Sequence, residues 1–97
     1  MKISSDGCGR IIREFYLKNK RGLHLRLAGE IAKIAMRYNA DVKLVSGEHA
    51  VDARSALALL TLAATQGSRL VLIGEGQQAS EAVNSLVEFI TSQDCDL

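Results

Sequence analysis

The strongest constraint in this sequence is how its apolar residues change period. Between Ile11 and Thr91 the spacing switches back and forth between two residues, the repeat of a strand, and 3.6, the repeat of a helix. Ile11–Leu17 alternates, with Phe15 and Leu17 on one side and Glu14 and Tyr16 on the other. From about Leu25 to Tyr38, Leu27, Ile31, Ile34, Ala35 and Tyr38 form one helical stripe, and Glu30, Lys33 and Arg37 lie opposite. Asn39 is the expected helix stop, because Asn tolerates left-handed backbone. Val42 and Leu44 begin a second strand. Ser46-Gly47-Glu48 turns it into a third, His49–Ala53, with Val51 inward. Ser55 precedes an Ala/Leu-rich helix expected to run from Ala56 to about Thr65 and to close at Gly67. Arg69–Gly74 is a fourth strand. Ala82, Val83, Leu86, Phe89 and Ile90 mark a last helix over about Ala79–Thr91.

The order is therefore strand, helix, strand, strand, helix, strand, helix. Its natural solution is an α+β fold, one four-stranded antiparallel sheet with three helices on one face. The fourth strand is apolar on both sides, since Val71 and Ile73 alternate with Leu70 and Leu72. With Tyr16 and Val45 they predict an apolar patch on the open face, to be covered by a second copy, another partner or the N-terminal extension. The 97 residues suit one domain. It is expected over 11–92, between a loose extension over 1–10 and a tail over 93–97. The chain has no proline, so turns and helix starts fall to Gly, Asn, Asp and Ser.

Composition narrows the function by exclusion. The formal net charge is +1, which gives no field for nucleic acid or an acidic membrane. No apolar run approaches the roughly 20 residues of a membrane span, and Met1–Arg10 lacks the core of a signal peptide. Cys8 and Cys95, one near each end, make no disulfide framework and fit a reducing cytoplasm. No P-loop, dinucleotide fingerprint, zinc motif or nucleophile elbow occurs. A sheet that binds RNA needs exposed aromatics for stacking; Phe15, Tyr16, Tyr38 and Phe89 are the only aromatic residues, and most serve the core or lie on helices. His49, on a strand beside Glu48 and Asp52, has too few companions for a metal site and reads as a solvated edge residue. No metal or cofactor is expected.

His24 remains. It stands between Gly22-Leu23 and the start of the first helix, two residues before Arg26. A helix start leaves backbone N–H groups unpaired and carries partial positive charge, so an anion there gains donors for its oxygens. Imidazole keeps a usable lone pair near neutral pH and can serve as a nucleophile. A phosphoryl group on His24 would meet the N–H groups of Leu25 and Arg26 and the Arg26 guanidinium. Gly-x-His-x-Arg alone is also compatible with a polar residue flanking a helix and a solvated charge.

The string Asn19-Lys20-Arg21-Gly22-Leu23-His24-Leu25-Arg26, followed by Ala28, resembles the active-site segment of HPr, the histidine phosphocarrier of the bacterial phosphoenolpyruvate-dependent phosphotransferase system. Gly47, Asp52-Ala53-Arg54-Ser55, Thr65-Gln66-Gly67 and Gly74-Glu75-Gly76 continue the likeness, which spans about 12–90. The resemblance implies that His24 accepts phosphate on Nδ1 from the phosphorylated first enzyme of the system. It then hands the group to a downstream permease-type or regulatory acceptor, with Arg26 steadying the oxygens. Such a protein is a carrier consumed and regenerated in a relay, not an enzyme. The resemblance also implies that Ser55, by position a helix N-cap, is open to regulatory phosphorylation by a dedicated kinase. A regulatory relative acting through Ser55, with weak transfer at His24, is the alternative. Leu23, Leu25, Ala56, Leu57 and Leu60 are the expected partner surface, with Lys20 and Arg21 steering acidic partners; core burial competes for Leu57 and Leu60.

One position departs from the family. Leu27 stands where proline usually follows the arginine. Proline there presets φ and lacks an N–H that has no acceptor anyway. Leu27 therefore predicts a helix start that forms but is softer, with transfer slower or tuned to a divergent partner. Gly29, inside the same helix, either admits a close neighbour or costs about 1 kcal/mol against Ala.

Overall fold

The computed structural model describes residues 10–92. Cys8, Cys95, the tail over 93–97 and all of the extension except Arg10 lie outside the described residues. The elements are β1 (Ile11–Tyr16), α1 (Leu25–Ala35), β2 (Asp41–Ser46), β3 (His49–Asp52), α2 (Ala56–Leu60), β4 (Arg69–Glu75) and α3 (Ala79–Ser92). The strands form one antiparallel sheet in the order β1-β4-β2-β3. The helices cover one face of it.

The registers explain which residues share a face. Phe15 lies opposite Leu70, and Leu44 opposite Leu72. These four point inward and are buried against Leu27, Ile31, Leu59, Val83, Leu86 and Ile90. The even positions of β1 and the odd positions of β4 point outward, as period-two alternation requires. Ile12 and Tyr16 are thus more than half exposed, beside half-buried Val45, Val71 and Ile73. The apolar patch on the open face is present. Its rim carries ion pairs between Glu14 and Arg69 and between Arg10 and Glu75.

Two helices are shorter than the sequence predicts. α1 ends at Ala35, not near Tyr38, and the chain loosens into three-residue bonds, Arg37 N–H to Ile34 and Tyr38 N–H to Ala35. Asn39 is not in the left-handed region. It is instead pinned across the molecule, its N–H donating to Gln78 Oε1 at 2.7 Å and its Nδ2 to Gln77 Oε1 at 3.0 Å. α2 stops at Leu60 rather than near Thr65. Ala63 then turns the chain with φ at +51°, and the segment after it serves the loop before α1.

Gly29 has nothing within 4 Å of where a Cβ would sit, and its φ is ordinary for a helix. No neighbour needs its small size. Gly29→Ala is expected to stabilise the fold by about 0.4–1 kcal/mol, read as a higher urea midpoint at unchanged slope; a loss would mean that the position is sterically committed.

Candidate phosphoryl-accepting site

The site is built on a loop tied down at both ends. Leaving β1, Leu17 donates its N–H to Ser68 O at 3.0 Å, and Leu17 O accepts from Gly67 N–H at 2.7 Å. Gln66 Nε2 reaches Lys18 O at 3.2 Å. At the far end Leu23 N–H donates to Ala64 O at 2.9 Å. Gly22 sits against the same carbonyl with φ at +68°; a Cβ there would lie 2.5 Å from Ala64 O and 2.9 Å from Thr65 Cα. Only glycine meets both demands, the left-handed backbone and the close approach.

His24 is the N-cap of α1, in extended backbone, and its carbonyl accepts the first helical bond from Ala28 N–H at 2.9 Å. Its side chain makes no capping bond. The N–H groups of Leu25, Arg26 and Leu27 find no acceptor among the described residues. Three donors at the positive end of α1 therefore stand free next to an uncommitted imidazole, the arrangement that welcomes an anion. The ring is half-buried. Its Nε2 is shut from solvent without a hydrogen-bond partner among the described residues. Arg26 is exposed, with no ion pair among the described residues, and is free to turn toward bound oxygens.

Around His24 the predicted partner surface divides. Leu25 and Leu57 are 66% and 75% exposed, and Lys20 and Arg21 are exposed. Ala56 and Leu60 are half-buried, packed against the core. Leu23 is a correction: it is buried, because its N–H ties to Ala64 and draws the side chain inward, so it supports the loop from beneath and offers no docking contact. The core leucine of α2 is Leu59, fully buried.

Ser55 caps α2, its Oγ accepting from Ala58 N–H at 3.2 Å. Just before it, Arg54 donates its backbone N–H to Asp52 Oδ1 at 2.9 Å and its guanidinium to Asp52 and Asp41. The side-chain hydrogen bond from Arg54, helped by the backbone one, holds the Asp52 carboxyl below its ordinary value of 3.8. A lowered carboxylate stabilises the fold above that ordinary value, and the contribution is lost as pH falls through the lowered one. The melting-temperature gap between wild type and Asp52→Asn should therefore be present at pH 7 and vanish in strong acid. It should stay small, because the pair is exposed to solvent. A gap that widened on acidification would contradict it.

Periodicity and composition give Asn19 no role of its own; in the sequence it enters only through the family-like string. It is the only fully buried polar side chain among the described residues. The available signal was an Asn between a strand and a glycine, where its side chain can mimic a turn. Among the described residues, no group of three or more His, Cys, Asp or Glu side chains could hold a metal, and His49 is exposed. No helix there is long and apolar enough to cross a membrane. The polar hollow lined by Tyr38, Asn39, Asp41, Arg54 and Glu75 includes none of the loop that carries His24.

Comparison with known proteins agrees with this geometry. Residues 11–92 match the family model described as the HPr component phosphorylation site of the phosphotransferase system. The chain belongs to the HPr family. It is 41% identical over 81 residues to the phosphocarrier protein HPr of Pseudomonas aeruginosa, covering 82% of this chain and 90% of that protein. It is 32% identical over 84 residues to the phosphocarrier protein NPr of Shewanella violacea, covering 87% and 92%. The crystal structure of an HPr from Thermoanaerobacter tengcongensis superposes with a TM-score of 0.82 at 28% identity, covering 87% of this chain and 94% of that one. HPr-family proteins are phosphocarriers, and the open-faced α+β sandwich is their fold.

Proposed function

We propose that this HPr-family protein takes phosphate on Nδ1 of His24 from the phosphorylated first enzyme of the phosphotransferase system and passes it to a downstream permease-type or regulatory protein, in the cytoplasm. The observation that carries this reading is an imidazole at a helix start that, among the described residues, makes no hydrogen bond of its own and whose first three amides find no acceptor. The Nδ1 lone pair attacks phosphorus while the bond to the donor breaks; the acceptor later repeats the exchange on the N–P bond. Such transfers pass through loose transition states, so positioning and charge stabilisation do most of the work. Amides of Leu25, Arg26 and Leu27 with the Arg26 guanidinium make a shallow cradle, suited to a group that must leave again. Leu25 and Leu57 supply exposed apolar contact for both partners, with Lys20 and Arg21 at the rim.

Ser55 belongs to the same reading as a regulatory site. A phosphate there would add close to two negative charges beside Leu57 and alter docking. It would also have to replace the hydroxyl that now accepts from Ala58.

The test incubates the protein with phosphoenolpyruvate and the first enzyme, and measures acid-labile phosphate on the chain. Wild type should be labelled and His24→Ala should not. Label that survives in His24→Ala overturns the assignment.

A further inference from the structure

The His24 ring is held by nothing of its own. It makes no capping bond, and Nε2 is buried without a partner. The placement of the ring therefore rests on the packing that buries Nε2 and on the backbone that delivers it there, residues 19–24. The chain is tied to the 64–68 loop at Leu17 and Lys18, just before that segment, and at Leu23 within it, and among the described residues one side chain hydrogen-bonds to the backbone between those ties.

That side chain is Asn19, which is fully buried. Its Oδ1 accepts from Arg21 N–H at 3.2 Å, its Nδ2 donates to Gly22 O at 3.2 Å, and its own carbonyl accepts from Gly22 N–H at 3.0 Å. Every one of these partners lies within the next three residues. An amide buried without partners costs a few kcal/mol, and here the turn itself satisfies it. The side chain acts as a template: the turn cannot open without stranding the amide in the interior. Lys20 and Arg21 are left outside, and Gly22 is pressed against Ala64 in the one conformation that aims Leu23 inward and His24 at the start of α1.

Resting on the phosphocarrier reading, we infer that Asn19 is a positioning residue for the transfer at His24, holding the turn that presents Nδ1 and keeps Nε2 covered. Alanine at 19 removes both side-chain bonds. Serine can still accept from Arg21 N–H, in the manner of a hydroxyl-closed turn, but cannot reach Gly22 O as a donor. In both variants the ring gains freedom to turn and expose Nε2.

The test compares wild type, Asn19→Ala, Asn19→Ser and Val83→Ala at a temperature where circular dichroism shows each to be folded. Val83 is a buried α3 residue that controls for lost stability alone. Phosphoenolpyruvate and the first enzyme supply the phosphate, and phosphorus and nitrogen NMR report which ring nitrogen carries it. Wild type and Val83→Ala should carry it on Nδ1 alone. The Asn19 variants should be phosphorylated roughly 10- to 100-fold more slowly, with the loss in kcat rather than KM and a fraction of product on Nε2. If the alanine variant does not fold, the serine variant decides. Wild-type rates and Nδ1-only product in a folded Asn19 variant overturn the inference while leaving the carrier reading intact. So does an equal slowing by Val83→Ala. Wild type that takes no phosphate on His24 overturns both.

Discussion

Gly22→Ala is expected to lose about 2–5 kcal/mol of stability, a large share of what a domain of this size has. Two costs combine. A side chain at φ +68° is strained, and its Cβ would lie 2.5 Å from Ala64 O, a backbone atom that cannot swing aside. Moving it breaks the bond from Leu23 N–H to Ala64 O and with it the seating of His24. Gly47 supplies the control. Its φ of +62° is nearly the same, but nothing lies within 4 Å of its missing Cβ. Gly47→Ala should lose only the backbone term, about 1–2 kcal/mol. Urea melts of the two variants at equal slope measure the difference directly, and phosphate uptake should fall with Gly22→Ala alone. Equal losses at the two glycines would show that the close approach to Ala64 does not fix the site.

That contact also marks the boundary of what the sequence reveals. Periodicity is a local property, so it reports faces. Alternation set Phe15 and Leu17 on one side of the first strand, and both are buried; in the fourth strand, apolar on both sides, it gave the two faces of Leu70 and Leu72 against Val71 and Ile73, and the structure buries the leucines. The α1 stripe of Leu27, Ile31, Ile34 and Ala35 was legible for the same reason. His24 and Arg26 stood out because a histidine at a helix start, two residues after a glycine and two before an arginine, has a chemical meaning before any contact is known. Contacts between the loop at 17–24 and the loop at 64–68 leave no such trace. Most of them join backbone atoms 41 to 51 residues apart, and backbone atoms are the same in every sequence. Hence Leu23, apolar and next to His24, read as a docking residue when a main-chain bond in fact turns it inward. Hence also α2: with five residues it completes barely more than one turn, too little for a period to settle whether Leu57, Leu59 or Leu60 faces the core. Asn19 escaped because a polar residue in a loop is ordinarily solvated, and only the closed turn shows it buried.

Leu27 is where the family's proline is missing, and its side chain is fully buried. Leu27→Ala is expected to lose about 2–5 kcal/mol, the usual cost of emptying a buried leucine site. Leu27→Pro should lose less, about 1–2 kcal/mol: the ring refills part of the volume, presets φ, and sacrifices an N–H that has no acceptor among the described residues. The consequence for transfer follows from the same burial. The sequence predicts a soft helix start, because the rigid ring is absent. In the structure α1 begins at Leu25, anchored through Leu27 among the core side chains, and the freed N–H is a third donor beside His24. On the proposed function, packing would supply the rigidity that a ring would otherwise impose, and the extra amide would support the bound phosphoryl group. Compared at equal folded fraction, Leu27→Pro should therefore take up phosphate no faster than wild type and lose it to water sooner. Single-turnover uptake and the lifetime of the phosphorylated form measure the two quantities. Faster uptake with an unchanged lifetime would show that the start of α1 is soft and that the amide of Leu27 plays no part in holding the phosphate.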